Sequence, residues 1–350
     1  MKSLYQALLL LFCLSVATAV EAGNPDRQGE AGAYELLMNP WARSAGLHTM
    51  TTANISGVEA IRLNVAGLSR IGQTEIQLGH AIYLDGVDIN MNALGLAQRV
   101  GKNGAFGVSL MALDFGEIPL TTVNQPEGTG VTFSPSFFNL GLSYAHTFEN
   151  KVSVGVTFRA INESTSDVQA FGFGIDAGVQ YVTGPQDNFK FGISLRNVGS
   201  RMSFKGEGLA VQLAAPDNVE SYNLTYDTRS TAFEIPSLLN IGLSYDFIVG
   251  ERNRLTFVSN FTAHSFSQDE IGAGIEFSYQ DIFMVRGGYK TDFGAGDSTV
   301  GDQVYSGIAA GATLNIPLSK ENNNRVGLDY AYRFTRVWNG THNLSLRIAL

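Results

Sequence analysis

The 350-residue chain contains 39 glycines, 22 phenylalanines and 13 tyrosines, while only 16% of its residues are charged. This composition favours one large all-β unit, and it is not typical of a disordered or collagen-like chain. The formal net charge is −9 and no stretch is rich in Lys and Arg, which excludes the positively charged surface that nucleic-acid binding requires.

The first 22 residues have the pattern of a secretory signal peptide. Lys2 supplies the positive end, residues 7–19 form an apolar stretch, and small residues follow it. Both Ala19 and Ala22 are acceptable last residues before cleavage. Either cut removes Cys13, the only cysteine, so we expect an exported protein without disulfides or thiolate metal ligands.

Residues 23–73 form a segment of a different kind, because their apolar residues do not alternate with polar ones. Residues 33–38 have the composition of a short helix. The apolar side chains of this segment need burial, and the interior of a barrel built by the following residues is available. We therefore predict a partly helical plug or periplasmic segment.

From residue 74 to residue 350, apolar residues recur at every second position, which is the period of a strand with two different faces. The clearest example is residues 151–160, where Val152, Val154 and Val156 alternate with Ser153, Gly155 and Thr157. Most segments have the ~9–13 residues that suit a tilted strand crossing a bilayer. We predict fourteen strands, at residues 74–84, 88–99, 104–114, 136–148, 151–162, 170–182, 188–198, 236–247, 253–264, 269–279, 282–290, 304–316, 324–336 and 340–350.

The connections between these strands mostly alternate between short and long. Residues 101–103 and 149–150 are short connections, whereas residues 115–135, 199–235 and 291–303 are much longer. This alternation is typical of outer-membrane barrels, with short periplasmic turns and long external loops. The polar face is rich in Gly, Ser, Asn and Thr, which suits a crowded lumen better than the charged outer face of a soluble sandwich or propeller.

The sequence therefore predicts a fourteen-stranded antiparallel transmembrane β-barrel in the outer membrane of a Gram-negative-type bacterium. Its first and last strands are expected to pair, because an open sheet edge in lipid leaves backbone N–H and C=O groups unsatisfied. After the leader, no stretch approaches the ~20 apolar residues that a membrane-spanning helix needs.

Charged residues of both signs fall on the face predicted to line the lumen. Two interpretations remain open: a polar conduit or ligand site, and a network of ion pairs that fills the barrel. We favour the network, because charges inside a barrel are common and need partners. These lumen charges are Arg159, Asp176, Lys190, Arg196, Asp246, Glu276, Arg286, Lys290, Asp329, Arg333 and Arg347.

No motif in the chain indicates an enzyme. The histidines His48, His80, His146, His264 and His342 lack the spacing of a metal site. Residues 172–178 are glycine-rich, but they lack the spacing of a nucleotide-binding loop and lie inside an alternating strand. We predict no catalytic residue, no cofactor and no metal.

Two short motifs in the N-terminal segment carry a family resemblance. Residues 42–47 (ARSAGL), followed by residues 64–68 (NVAGL), resemble the opening of the PorV/PorQ family of Bacteroidetes-type outer-membrane proteins. Residues 104–110 and 116–118 resemble that family's next strand and turn. The motifs cover the N-terminal third of the chain, and Val65 stands where the family usually has Pro. The positions that match are Arg43, Gly46, Asn64, Gly67 and Leu68.

This resemblance implies a fourteen-stranded barrel, similar to the FadL-like long-chain fatty-acid transporter fold, that supports type IX secretion. The partners would be cargo or translocon components, bound through the long loops at residues 115–135 and 199–235. Two alternatives stay open: a FadL-like transporter of hydrophobic small molecules with residues 24–70 as its plug, and a structural outer-membrane protein. Outer-membrane lipid is a partner in every case.

Overall fold

A computed structural model describes residues 24–214, 222–250, 252–293, 304–318 and 324–350. In this part of the chain, fourteen antiparallel strands form one closed barrel, which confirms the predicted fold. The barrel strands are β1 (Thr74–Tyr83), β2 (Ile89–Val100), β3 (Gly104–Asp114), β6 (Ser136–Thr147), β7 (Val152–Thr165), β8 (Val168–Thr183), β9 (Phe189–Gly199), β12 (Leu238–Val249), β13 (Asn253–His264), β14 (Glu270–Tyr279), β15 (Phe283–Asp292), β16 (Tyr305–Pro317), β17 (Arg325–Thr335) and β18 (Thr341–Ala349).

Every predicted strand is present, with ends within three residues of the predicted ones. The barrel closes between β1 and β18, whose register joins eight residue pairs from Glu75–Ala349 to Ile82–His342. The predicted pairing of the first and last strands is therefore confirmed. No backbone edge of the sheet is left open along this seam.

The two-residue alternation separates an inner face from an outer face in each barrel strand. In β7, the side chains of Ser153 and Thr157 point inward and are fully buried, whereas Val156 and Phe158 are 51% and 55% exposed on the outer face. Apolar side chains are therefore the ones that face the surroundings. This arrangement is that of a barrel whose outer wall contacts lipid hydrocarbon.

Two long connections contain small sheets of their own. Strand β4 (Ile118–Pro119) pairs with β5 (Thr132–Phe133) between β3 and β6, and β10 (Ala210–Ala214) pairs with β11 (Asn223–Asp227) between β9 and β12. Both lie at the end of the barrel that the sequence assigns to the cell exterior. We call this the external end.

Residues 24–73 are called the plug below, and most of them lie inside the barrel. The plug contains two short α-helices, α1 (Ala42–Ala45) and α2 (Ala60–Leu63), and the 3-10 helices Pro25–Arg27, Tyr34–Leu37 and Val65–Arg70. Its residues from 41 to 69 are almost all buried, because the inner faces of the strands surround them. Within the described ranges, no helix has the length and apolar character needed to cross a bilayer.

Part of the connection between β9 and β12 folds back over the plug. Met202 and Ile235 are buried against Ala33 and Leu36 of the plug, with Phe233 packed beside them. This segment therefore covers the plug at the external end.

Candidate functional site

The largest apolar cluster among the described residues joins the plug to one sector of the wall. Trp41, Ile61 and Leu68 of the plug are buried there against small or flexible residues of β2 and β3, including Ala93 and Met111. Glycines of the wall allow this close contact: a Cβ atom on Gly79 would lie 2.9 Å from the Trp41 ring. The plug is thus seated by packing as well as by polar bonds.

The five positions that match the family motif all lie in the plug. A Cβ atom on Gly46 would lie 3.1 Å from the side chain of Arg286, and one on Gly67 would lie 2.1 Å from the backbone oxygen of Ile55. Leu68 is completely buried, and Arg43 lies 3.5 Å from Glu276. We therefore propose that the motif positions serve plug packing.

The fifth motif residue, Asn64, connects the plug to the wall. Its side-chain Nδ2 donates to the backbone oxygens of Thr52, at 2.8 Å, and Val179, at 3.1 Å. Its Oδ1 accepts from the backbone N–H of Ala66 at 3.3 Å. A single amide therefore satisfies polar groups on two plug turns and on strand β8.

Two buried charges of the plug satisfy backbone groups around them. Arg62 donates to the backbone oxygens of Met38 and Glu35, both at 2.6 Å. Glu59 accepts from the backbone N–H of Ser44 at 3.0 Å and from Gln77 at 2.9 Å. Because buried polar groups are costly without partners, these bonds fix the path of the plug.

The structure places all eleven candidate lumen charges on the inner face of the barrel. Most of them are joined to an oppositely charged side chain on a neighbouring strand. The pairs are Arg159–Asp176, Lys190–Asp246 at 2.6 Å, Arg286–Glu276 at 2.7 Å and Lys290–Glu270 at 2.7 Å.

The other four lumen charges have different partners. Arg347 donates to Asn315 at 2.9 Å, and Asp329 accepts from Thr313. Arg196 donates to the backbone oxygen of Leu36 at 3.2 Å, and the guanidinium of Arg333 lies over the ring of Tyr305, 4.6 Å from its centre.

Among the buried acids on the inner face that sequence analysis missed are Glu163 in β7 and Glu270 in β14. Glu163 lies one residue beyond the predicted end of its strand. Glu270 shares the two-residue register of Glu276, so the alternation itself was a signal that could have identified it. Both lie at the external end of the lumen.

Of the cavities in the described part of the chain, two lie against the plug or against the wall that it contacts. One, of about 210 Å³, lies inside the external end and is lined mainly by polar side chains of the plug and of strands β9 and β12–β17. The other is an apolar groove of about 640 Å³ on the outer face of β1–β3, β6, β17 and β18, called the outer groove below. Its walls include Leu78, Leu94 and Leu344.

The outer groove and the plug lie on two sides of the same thin stretch of wall. Gly79, Ala93 and Met111 line the groove, while the same residues contact or adjoin the apolar cluster of the plug around Trp41. One polar pair interrupts the groove, formed by His80 Nδ1 and Asn92 Oδ1 at 2.9 Å.

No protein-family model and no curated protein matches this chain. Several solved structures do. A channel described as the CymD monoaromatic hydrocarbon channel is 16% identical, with a TM-score of 0.53, over 87% of this chain and 95% of that one. The toluene transporter TodX of P. putida is 14% identical, with a TM-score of 0.54, over 87% and 95% of the two chains.

A FadL homologue of Pseudomonas aeruginosa is similar as well, at 12% identity and a TM-score of 0.50, over 88% of this chain and 98% of that one. At such identities the likeness shows a shared FadL-like barrel fold. The comparisons provide no support for the PorV/PorQ resemblance. With its closed barrel and its apolar outer face, the protein resides in the outer membrane of a Gram-negative bacterium.

Proposed function

We propose that this protein conducts small hydrophobic molecules across the outer membrane. The observation that carries the proposal is the meeting of the outer groove with the apolar plug cluster across Gly79, Ala93 and Met111. A molecule that moves out of water is stabilised by about 25 cal/mol for each Å² of apolar surface that it buries. A route with apolar surfaces on both sides of the wall suits such a solute.

The rest of the lumen is unsuited to free diffusion of polar solutes. Ion pairs such as Arg159–Asp176 and Arg286–Glu276 lie across its inner face, and the plug occupies the space between them. Within the described part of the chain, the barrel therefore lacks the open aqueous channel of a general porin.

The fold supports the same function. The structurally similar proteins CymD and TodX are described as a monoaromatic hydrocarbon channel and a toluene transporter. The outer groove, at about 640 Å³, is within the range of about 300–1,000 Å³ that small-molecule sites occupy. We propose that the substrate binds in the outer groove. We propose also that the plug cluster around Trp41, on the inner side of the wall, controls its passage.

Uptake of labelled toluene by cells that express the full-length chain tests this function. We expect faster uptake than in cells without the protein, and unchanged uptake of a small sugar. Ala112→Phe fills the outer groove and is expected to lower the toluene rate, whereas Ala310→Phe, on the outer face away from the groove, serves as the matched control. Toluene uptake equal to that of cells lacking the protein would refute the proposal.

Support of type IX-like secretion is the second candidate function, favoured by the motifs at residues 42–47 and 64–68. In that case cargo or translocon components would bind the two long connections that contain β4–β5 and β10–β11. Affinity capture of the protein from detergent-solubilised outer membranes tests it. Recovery of secretion components or secreted cargo would support this function, and recovery of neither would count against it.

A further inference from the structure

The cavity inside the external end of the lumen has an excess of positive charge. Its volume is about 210 Å³. The described lining includes three cationic side chains, Arg196, Lys290 and Arg333, and a single carboxylate, Glu270. That carboxylate is already engaged: it accepts from Lys290 at 2.7 Å and lies 3.2 Å from Nε2 of His264. Among the described lining residues, the two arginines are therefore left without an acidic partner.

Both arginines also carry buried N–H groups without an acceptor. Nε of Arg196, and Nε and Nη2 of Arg333, make no hydrogen bond within the described part of the chain. Arg196 is 7% exposed and Arg333 is 4% exposed, so water satisfies these groups poorly. Asn240, in the same lining, has an equally unbonded Nδ2. Such donors are costly to bury unless an acceptor completes the site.

The plug contributes a fixed wall to this cavity. His48 and Thr49 both adopt left-handed backbone conformations, with φ of 51° and 65°, and the His48 ring packs edge-on against Tyr305 with 5.5 Å between ring centres. Burial, together with the charges of Lys290 and Arg333, lowers the pKa of His48 well below its ordinary value. The cationic surroundings thus favour the neutral imidazole and attract an anion.

We propose that this cavity binds a small oxyanion, held by Arg196 and Arg333 with Asn240 as a further donor. The planar guanidinium groups match the oxygen pairs of a carboxylate or a phosphate. The cavity is smaller than the roughly 300 Å³ at which drug-sized ligand sites begin, so the anion is inorganic or belongs to a small organic acid. This site is separate from the outer groove and does not depend on conduction of hydrocarbons.

Calorimetric titration of the full-length protein in detergent at low ionic strength tests the site. Sodium phosphate, sodium acetate and sodium benzoate are the probes, and benzyl alcohol is the uncharged counterpart of benzoate. We expect saturable binding of at least one anion at one per chain, and no such binding of benzyl alcohol. Phosphate binding alone identifies an inorganic ligand, and acetate or benzoate binding identifies a carboxylate.

Substitutions locate the binding. Arg333→Gln is expected to weaken the affinity by about tenfold or more, because a charged hydrogen-bond donor is lost. Arg347→Gln, in the lumen but outside the cavity lining, is the matched control and should leave the affinity unchanged. If Arg333→Gln fails to fold, as judged by circular dichroism, Arg196→Gln and Arg333→Lys replace it.

Three results would overturn the proposal: no saturable anion binding by the unaltered protein, saturable binding of benzyl alcohol as tight as that of benzoate, or unchanged affinity in the folded variants of the two cavity arginines.

Discussion

The side-chain Oδ1 of Asn64 in the plug lies 2.0 Å from the point where a Cβ atom on Gly178 of β8 would stand. The same asparagine donates from Nδ2 to the backbone oxygen of Val179, the next wall residue. The plug is therefore bonded to the wall at a position where the wall has no side chain. A glycine at residue 178 is a requirement of this contact.

Gly178→Ala is expected to displace Asn64 and destabilise the plug. Overpacking of this kind costs about 1–3 kcal/mol. The thermal unfolding midpoint in detergent should fall, and residues 24–73 should be cleaved faster by added protease. Gly174→Ala is the control, because it lies on the same face of β8 and its nearest neighbours are 3.5–4.0 Å from the added Cβ. Equal effects of the two substitutions would contradict the role assigned to Asn64.

Arg62→Ala is expected to loosen the plug from within. It leaves the backbone oxygens of Glu35 and Met38 without their donors, and each unsatisfied buried group costs about 1–3 kcal/mol. Ion conductance across planar bilayers should rise as the plug becomes mobile. Arg70→Ala removes the same charge from the half-buried end of the plug and should leave the conductance near that of the unaltered protein. Unchanged conductance of the Arg62→Ala variant would argue against a plug held by these bonds.

Arg159→Ala should be among the more damaging substitutions in the lumen. It leaves Asp176 buried beside an empty position, and loss of one partner of a buried pair costs about 3–5 kcal/mol. Lys151→Ala breaks the exposed Lys151–Asp187 pair, which measures 2.7 Å, and should cost about 0–1 kcal/mol. Urea unfolding in lipid vesicles measures both free energies. Similar losses would show that the lumen pair is solvated.

Glu35 should make plug stability depend on pH. Its carboxyl is buried next to the carboxyl of Glu163 in β7, and burial raises its pKa above the ordinary value. As pH rises above about 4.3, the unfolded chain releases this proton before the folded protein does, so the free energy of unfolding falls up to the folded pKa.

Glu35→Gln removes the contribution of Glu35 to this dependence. Relative to the unaltered protein, the variant should gain stability as the pH is raised from about 4 to about 8, as read from thermal midpoints at the two values. A difference that does not change with pH would mean that Glu35 is as easily ionised in the folded protein as in the unfolded chain.

The sequence predicted the barrel wall closely because successive residues of a strand face lipid and lumen in turn. Lipid favours apolar side chains, and the lumen favours polar or small ones. In β7 this preference is visible as Val156 and Phe158 facing outward against Thr157 and Arg159 facing inward. The same alternation carried the prediction of the lumen charges, and it reaches Glu270 as well. Local pattern suffices wherever each residue's surroundings are set by its position in a strand.

The plug and its bonds were beyond such reasoning. Asn64 bonds to Val179, 115 residues away, and Arg62 bonds to Glu35, 27 residues away. No local period encodes these partners, because they meet only after the barrel encloses the plug. For the same reason, the burial of Met202 and Ile235 over the plug did not follow from the composition of their connection.

The position of the plug ahead of β1 has a consequence for biogenesis. Trp41 is fully enclosed by strands that follow it in the chain, and hydrogen bonds between β1 and β18 close the barrel around it. After β1 and β18 have paired, the bulky indole of Trp41 cannot easily enter the barrel. The plug must therefore take up its position before the sheet closes, so that the later strands assemble around it.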